Sequence, residues 1–496
     1  MNASFEQLSL EPQAPADHEA AGVALARVQA LLVDHPVLAD LAGREDLRDQ
    51  ALLGELIEQL VLTYDFADLR EAIDPLHPAD VAFVLEALPR NERLVVFELI
   101  KASLDGDVLL HLSEPVRESV IASMDTEELV DAVESLDADE IADLAPDLPP
   151  EVVEEVSEGL DPEEREQLRT AMSYPKESVG ARMDFDLVKV REDLSLEVVL
   201  RYLRRFDALP DHTDKVFVVD REDNLLGTLS LDRLLVNEPD VMVENVMARD
   251  VMTLNALDAA SEAAKAFQRY DLVSAPVVAP GGRLIGRLTI AAAVDVIQEE
   301  GDADILNQAG LREDEDLFAS VWASAKNRWL WLGLNLCTAF FASRVIGAFE
   351  GTISKVVALA ALMPIVAGIA GNSGNQTMTL VIRSLALGQT NASNARRLII
   401  KELAIAGTNG VMWGTLAGLF AWWLYNDTPF GMTLGFTMML AMILNLLLSA
   451  VVGMVVPLAL QRLGRDPAMG SSVLLTFSTD SMGFFIFLGL ATLFFR

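Results

Sequence analysis

Five long apolar stretches in the last third of the chain restrict the fold more than any other feature of the sequence. Each reaches the roughly 20 residues that a helix needs to cross the hydrocarbon core of a bilayer. The stretches lie near residues 329–349, 354–386, 398–424, 432–460 and 471–495. We therefore predict a transmembrane domain of five helices at residues 328–496, at the end of a multi-domain membrane protein.

The positions of lysine and arginine predict how these stretches are oriented. Basic residues flank alternate ends, at Lys326, Arg328, Arg396, Arg397, Lys401, Arg462 and Arg465. Because such residues favour the cytoplasmic side, we predict a multi-pass protein of the plasma membrane, which is the inner membrane in a bacterium. Its N-terminus would be cytoplasmic and its C-terminus outside. The N-terminal residues are acidic and lack a basic stretch followed by an apolar run, so we expect no signal peptide.

The second apolar stretch carries a polar run, GIAGNSGNQT, at residues 368–377. Pro364 and the glycines weaken a helix, so we expect this stretch to be kinked or unwound. Polar backbone at membrane depth is tolerated where it is buried in protein or lines a watery cavity. The amides of Asn372, Asn375 and Gln376 favour a pore lining, and helix packing through small residues is the alternative.

Asp480 is the only charged residue of the fifth apolar stretch. A carboxylate in mid-membrane costs at least about 2.5–3.5 kcal/mol, so it indicates a functional site, although a protonated, buried Asp is the alternative. Thr476 precedes it by one helical turn. All five histidines precede the apolar stretches, and a carboxylate with hydroxyls suits a hard cation such as Mg²⁺. Two copies of Asp480 in a homodimer would hold the hydrated ion across a symmetry axis; Ca²⁺, Mn²⁺ and Co²⁺ remain open.

The part of the chain that precedes Lys326 differs sharply in charge from the rest. The whole chain has 37 basic and 75 acidic residues, and residues 326–496 hold 11 and 5 of them, which leaves 26 basic and 70 acidic residues in the first part. Such a surface repels nucleic acid and attracts cations. The chain shows no nucleophile–base pair and no phosphate-binding loop, so we predict that it is not an enzyme and has no nucleic-acid partner.

A short repeat runs through residues 76–171 of this acidic part, with an apolar residue at every twelfth position, as at Leu76, Leu88 and Ile100. Its units, such as MDTEELVDAVES and LDADEIADLAPD, continue with Asp, Ser or Pro and then carry an apolar helical stripe. This pattern predicts an all-α acidic helical-repeat domain at residues 61–175, with its helices stacked as a solenoid. Residues 1–60 are predicted to be partly disordered or helical.

Two β/α patterns follow in tandem at residues 176–300, divided at about 176–245 and 246–300. The pair resembles the cystathionine-β-synthase (CBS) module, which commonly senses small ligands. Many such modules bind adenosine ribose through Ser or Thr and an Asp three residues later. Here Ser230 is followed at that spacing by Arg233, and Thr289 by Ala292. The missing acids argue against nucleotide binding, and ATP at the CBS pair stays an open alternative.

Residues 301–327 are acidic and then amphipathic, and they connect the CBS pair to the apolar stretches. We predict one or two helices in this connector, which would act either as a plain linker or as a plug-type helix that gates the membrane domain.

Taken together, the chain resembles the MgtE family of magnesium transporters or channels over residues 60–496. The motifs that carry the resemblance are GNSGNQTMTLVIRSLALG at 371–388, RLGRDPA at 462–468 and TFSTDSMGF at 476–484. The resemblance implies a homodimer in membrane lipid whose pore is formed by the second and fifth spans. Asp480 would hold hydrated Mg²⁺, with Thr476 one turn before it, and Asp466 would be an acidic site at the cytoplasmic mouth.

The resemblance also implies that Mg²⁺ is both transported and regulatory. Cytoplasmic Mg²⁺ would bridge acidic residues of the repeat, the CBS pair and the connector and so close the pore, with Asp271, Asp295, Glu300 and Asp304 as the matching positions. Asp466 at the cytoplasmic mouth would be a further regulatory Mg²⁺ position. We expect a Mg²⁺-selective channel that imports Mg²⁺ down its electrochemical gradient. The alternatives are a broader transporter for Co²⁺ or Mn²⁺ and a non-transporting membrane sensor of nucleotides.

Overall fold

A computed structural model describes residues 20–34, 67–100, 106–311, 317–318, 321–386 and 392–495. The chain forms two compact units, which divide near residue 300. Most of the predicted N-terminal segment 1–60 lies outside the described residues, and the part of it that is described forms helix α1, Ala20–Asp34.

Nine short helices follow α1 in the described residues of the acidic part. They are α2 (Ala67–Ile73), α3 (Pro78–Glu86), α4 (Arg90–Ile100), α5 (Asp107–His111), α6 (Glu114–Ile121), α7 (Thr126–Val133), α8 (Ala138–Leu144), α9 (Pro150–Gly159) and α10 (Pro162–Met172). The residues that precede α6 to α10 are Ser113, Asp125, Asp137, Pro149 and Asp161, at intervals of 12. The repeat in the sequence therefore corresponds to one helix per unit.

The local chemistry of each unit explains why a helix starts where it does. The Asp125 carboxylate accepts a hydrogen bond from the backbone N–H of Glu128 at 2.9 Å, and the Glu128 carboxylate accepts one from the N–H of Asp125 at 3.1 Å. This capping box satisfies two backbone donors that the helix cannot pair itself. The first apolar residue of a unit, such as Leu88, Leu112 or Leu136, is buried in one continuous core, as expected when each unit buries its stripe against its neighbours.

Residues 179–309 form two β/α units with the same topology. A 3₁₀ turn, Val179–Ala181, leads into the first unit. The elements are β1 (Lys189–Arg191), α11 (Leu196–Leu203), β2 (Lys215–Val219), β3 (Leu225–Ser230), α12 (Leu231–Val236), α13 (Val243–Val246), β4 (Leu254–Asn255), α14 (Ala260–Tyr270), β5 (Ser274–Val278), β6 (Leu284–Thr289) and α15 (Ile290–Ala309). In each sheet the middle strand pairs parallel to the first strand and antiparallel to the third.

The remaining elements are long helices with one short helix between them. They are α16 (Val321–Gly347), α17 (Glu350–Lys355), α18 (Ala358–Ala386), α19 (Ala392–Leu424), α20 (Gly431–Arg462) and α21 (Ser471–Phe494). Helix α20 packs against α18, α19 and α21, and α16 packs against α21. The core between them is apolar and includes Leu359, Val366, Met442, Leu446 and Phe487.

Four of the described helices are long and apolar enough to cross a membrane, namely the segments Ser324–Gly347, Arg396–Leu424, Gly431–Arg462 and Ser471–Phe494. The predicted second span, α18, is 29 residues long but is not one of these four. Its polar run at 368–377 lowers the hydropathy on which such an assignment depends. The structure therefore supports a multi-pass membrane domain with four clear spans.

The second span was expected to be kinked or unwound, and unwinding was wrong, because α18 is a continuous helix from Ala358 to Ala386. Pro364 lies in the second turn, where it removes only one backbone hydrogen bond near the helix start. Gly374 packs directly against Ser449 and Leu475, and a Cβ on Gly453 would lie 2.7 Å from the Gly374 carbonyl oxygen. These glycines allow close approach of α18, α20 and α21, and tertiary packing offsets their low helix propensity.

Most described residues of the predicted connector at 301–327 are helical, and they belong to two helices that extend beyond it. Helix α15 starts at Ile290, inside the second β/α unit, and continues to Ala309, and the next described helix, α16, starts at Val321. Between these two helices the structure describes residues 310–311 and 317–318, and the plug-type helix stays a prediction.

Candidate functional site

The polar run of α18 is divided between two faces of the helix. The buried residues recur every three or four positions and include Val366, Ala370, Gly374 and Thr377. On the other face Asn372, Asn375 and Gln376 are exposed in the single chain. Part of the run thus packs against neighbouring helices, while its three amide side chains are exposed and could line an ion path.

Two hydrogen bonds attach the buried face of α18 to α20. Asn445 Nδ2 donates to the Val366 carbonyl oxygen at 3.2 Å, and Ser449 Oγ donates to the Ala370 carbonyl oxygen. Both donors are fully buried. Because buried polar groups are costly unless they are paired, these bonds fix α18 against α20 at two successive turns.

Asp480 and Thr476 lie on α21, and the contacts between α21 and α18 place them close to the polar run. Two glycines of α18 pack closely against α21. If Gly371 carried a Cβ atom, that atom would lie 3.7 Å from Thr479 Oγ1, and a Cβ atom at Gly374 would collide with the Leu475 side chain. Residues 475–479 of α21 therefore lie beside residues 371–374 of α18, the two helices run antiparallel, and Asp480 follows this contact by one residue. Asp480 is half-buried, and Thr476 is exposed with its hydroxyl bonded to the Ser472 carbonyl oxygen at 2.9 Å.

Asp466 lies in the turn that precedes α21. Its Oδ1 accepts a hydrogen bond from the backbone N–H of Ala468 at 2.8 Å. The glycines on either side, Gly464 and Gly470, have positive φ values of 67° and 70°, which only glycine adopts at little cost. The turn therefore holds one carboxylate at the end of the predicted path.

Glu402 is a buried acid that the sequence analysis did not single out. It lies on α19 with 4% of its surface exposed, and its Oε2 accepts a hydrogen bond from Thr377 Oγ1 at 3.1 Å. The signal was present in the sequence, since Glu402 lies inside the predicted span 398–424 and an acid within a span indicates function. The basic residue beside it, Lys401, indicated only the orientation of the span.

The structure places the four predicted regulatory acids at two locations. Asp271 ends α14 with φ of 50° and is exposed, whereas Asp295, Glu300 and Asp304 follow one another along α15. Among the described residues, no group of three or more His, Cys, Asp or Glu side chains is arranged to hold a metal ion. The four acids are therefore not gathered into one metal centre in this conformation.

An arginine connects the helical repeat to the second β/α unit. Arg182 Nη1 lies 3.2 Å from Asp143 Oδ1, and Arg182 Nη2 lies 2.8 Å from Glu299 Oε2. The guanidinium is mostly buried and also interacts with Asp295. In this conformation a side-chain cation neutralises acids from both domains.

Burial, and next the charge of Asp184, raise the pKa of Asp139 to about 8. An unfolded Asp ionises near pH 3.9, so between pH 4 and pH 8 the unfolded chain loses a proton that the folded chain keeps. This group therefore destabilises the fold progressively as the pH rises through that window. We expect Asp139→Asn to raise the free energy of unfolding by roughly 2–5 kcal/mol at pH 8 and to leave it unchanged at pH 4, since one pKa unit is about 1.4 kcal/mol.

Thermal unfolding of the purified full-length protein between pH 4 and pH 8 measures this difference. Asp131→Asn, which removes an exposed acid from α7, is the matched control. An identical pH profile for wild type and Asp139→Asn would contradict the prediction.

The residues at the two candidate ribose positions do not fit the nucleotide-binding pattern of the CBS module. Arg233 Nη1 donates to the Val246 carbonyl oxygen at 3.0 Å, and Thr289 Oγ1 accepts from the Ala292 backbone N–H at 3.4 Å. Neither Arg233 nor Ala292 offers the carboxylate that would accept two ribose hydroxyls.

Comparison with protein families identifies three kinds of domain in this chain. A divalent cation transporter profile (MgtE) matches residues 363–490, an MgtE intracellular N domain profile matches residues 76–177, and a CBS domain profile matches residues 178–238 and 243–299.

Named relatives match most of the chain. The magnesium transporter MgtE of Thermus thermophilus is 31% identical over 448 residues, which are 86% of this chain and 95% of the relative. The magnesium transporter MgtE of Bacillus subtilis is 28% identical over 428 residues, 86% of this chain and 94% of the relative. Among solved structures, the cytosolic domain of the Mg²⁺ channel MgtE in complex with ATP is 29% identical, with a TM-score of 0.42, and covers 49% of this chain and 99% of that chain.

Proposed function

Because this chain belongs to the MgtE family of divalent cation transporters, we propose that it carries Mg²⁺ across the membrane along a path formed by α18 and α21. The observation that carries the proposal is the alignment of the two helices. Gly371 of α18 packs against Thr479 of α21, so the exposed amide of Asn372 and the carboxylate of Asp480, the one acid in α21, each lie one residue from this contact. Amide and carboxylate oxygens are the ligands that suit a hard cation.

The chemistry of the path favours an ion that keeps its water. Mg²⁺ dehydrates reluctantly and is usually bound through one or two carboxylates and several waters. One chain offers a single Asp480, so a homodimer would place two carboxylates on opposite sides of the ion. Asn372, Asn375, Gln376 and Thr476 would then hydrogen-bond to its water shell. The exposure of these four side chains in the single chain supports such an arrangement.

We further propose that α18 crosses the membrane together with the four apolar helices. Five crossings place the two ends of the domain on opposite sides, and the basic residues between the helices put the acidic part in the cytoplasm. The C-terminus would then be outside. For a bacterial protein the membrane concerned is the inner membrane.

In the proposed mechanism cytoplasmic Mg²⁺ closes the path. The 70 acidic residues before Lys326 repel one another when they are not screened, and divalent ions that bridge them favour a compact state. Asp271, Asp295, Glu300 and Asp304 are the proposed regulatory positions, with Asp466 at the mouth of the path. Low internal Mg²⁺ leaves the path open, which makes uptake self-limiting.

Flux into liposomes tests the proposed function directly. The purified full-length protein is expected to pass Mg²⁺ into vesicles when an inside-negative potential is imposed, and internal Mg²⁺ is expected to reduce that flux. Competition by Co²⁺, Mn²⁺ and Ca²⁺ measures selectivity, and addition of ATP tests the nucleotide alternative. Vesicles that contain the protein and pass no more Mg²⁺ than empty vesicles would contradict the proposal.

A further inference from the structure

Glu402 is the buried acid of the membrane unit among the described residues, and neither the proposed path nor the proposed gate uses it. It lies one helical turn after Leu398, which packs with Val381, Leu385 and Met454 in a small apolar cluster. A carboxylate in such surroundings is expensive to keep, and buried ion or polar groups are often replaceable by apolar residues without loss of stability. Stability alone therefore does not explain why an acid is found here.

The partner of Glu402 connects it to the ion path. Thr377 is 6% exposed and donates its hydroxyl hydrogen to Glu402 Oε2 at 3.1 Å. Thr377 immediately follows Gln376, and successive residues of a helix point about 100° apart. A bond that holds Thr377 on the buried face consequently sets the direction in which Asn375 and Gln376 point on the exposed face.

The other two hydrogen bonds that anchor α18 are made earlier in the helix. Asn445 and Ser449 bind backbone carbonyl oxygens at Val366 and Ala370, so they restrain the helix up to two turns before Thr377. The bond between Thr377 and Glu402 is an anchor between side chains, and it comes from α19, on which none of the proposed path residues lies.

We propose that Glu402 is a positioning residue of the ion path: by accepting the Thr377 hydrogen bond, it fixes the rotation of α18 and aims Asn375 and Gln376 at the ion. The inference rests on the proposed function, because it assigns these amides to the path. It requires an acceptor oxygen at position 402 and a hydroxyl at position 377.

Substitutions of matched shape separate this role from a merely structural one. Glu402→Met and Thr377→Val remove the acceptor and the donor while nearly keeping volume, and each is expected to raise the half-saturating Mg²⁺ concentration of liposome flux about 5- to 10-fold, the range of one lost buried hydrogen bond. Glu402→Gln and Thr377→Ser keep the bonding atoms and are expected to restore affinity to within about twofold of wild type. Thr408→Val is the control for Thr377→Val, since the Thr408 hydroxyl binds only the Ala404 carbonyl oxygen of its own helix.

The double variant Thr377→Val with Glu402→Met provides the decisive measurement. If the two side chains act through one bond, the double variant is no worse than either single variant. Thermal unfolding in detergent is expected to show no loss of stability for Glu402→Met. Two results would overturn the inference, provided that the wild-type protein passes Mg²⁺. One is a double variant whose loss of Mg²⁺ affinity equals the sum of the two single losses, and the other is a Glu402→Gln variant as impaired as Glu402→Met. A wild-type protein that passes no Mg²⁺ would overturn the proposed function itself.

Discussion

Asp480→Ala is expected to lower Mg²⁺ flux into liposomes about 10- to 100-fold. The proposed site loses one carboxylate from each protomer. A hydrogen bond to a charged group contributes about 1.5–3 kcal/mol, and every loss of about 1.4 kcal/mol in binding free energy weakens affinity tenfold. The variant is not expected to unfold the protein, because removal of a half-buried carboxylate also removes the cost of burying it. Initial rates of Mg²⁺ entry, normalised to the amount of inserted protein, measure the effect.

Two further variants of α21 make this test specific. Asp480→Asn keeps an oxygen ligand without the charge and is expected to retain more flux than alanine. Ser478→Ala removes a hydroxyl that binds only the Leu474 carbonyl oxygen of the same helix, and it is expected to conduct like wild type. If Asp480→Ala passed Mg²⁺ at the wild-type rate, the result would contradict the proposal that Asp480 and helix α21 line the path.

Neutralisation of the four proposed regulatory acids is expected to shift inhibition by internal Mg²⁺ to at least about tenfold higher concentration. The variant combines Asp271→Asn, Asp295→Asn, Glu300→Gln and Asp304→Asn. Each removed carboxylate weakens a contact to a divalent ion, and a total loss of about 1.4 kcal/mol in Mg²⁺ affinity is sufficient for that shift. Flux at low internal Mg²⁺ is expected to be unchanged, because these acids lie outside the proposed path.

A control with the same change in net charge distinguishes site binding from a general loss of negative charge. It neutralises four exposed acids of the first β/α unit: Asp193, Glu197, Asp207 and Glu222. This control is expected to keep the wild-type response, apart from a small shift that high salt removes. Equal shifts in the two variants would assign regulation to overall charge rather than to the four positions.

Much of the fold could be predicted because its signals are local. The short repeat specifies where helices start, since each unit carries its own cap and its own apolar stripe. The four clear membrane helices follow from length and hydropathy alone. Asp480 stood out for the same reason, as one charge in an otherwise uncharged span.

The errors arose where a local signal was opposed by packing. Pro364 and the nearby glycines predicted a kinked or unwound stretch at 368–377. The helix is continuous there, and Gly374 and Gly453 are at contacts where any side chain would collide with a neighbour. The plug-type role of the connector at 301–327 stays a prediction; of its described residues, 301–309 are helical in α15 and 321–327 in α16. The positions proposed for regulatory Mg²⁺ and for the path remain predictions.

The sequence by itself determined which segments are helical or apolar, where the repeat units start and that one carboxylate lies within the final span, because each of these depends on residues within a few turns of one another. Only the tertiary structure decided which face of α18 is buried, and it alone revealed the bond between Thr377 and Glu402. Those features depend on contacts between residues 25 to 79 positions apart in the chain. The free energy of such contacts comes from the fit of one helix against another, and no local pattern encodes it.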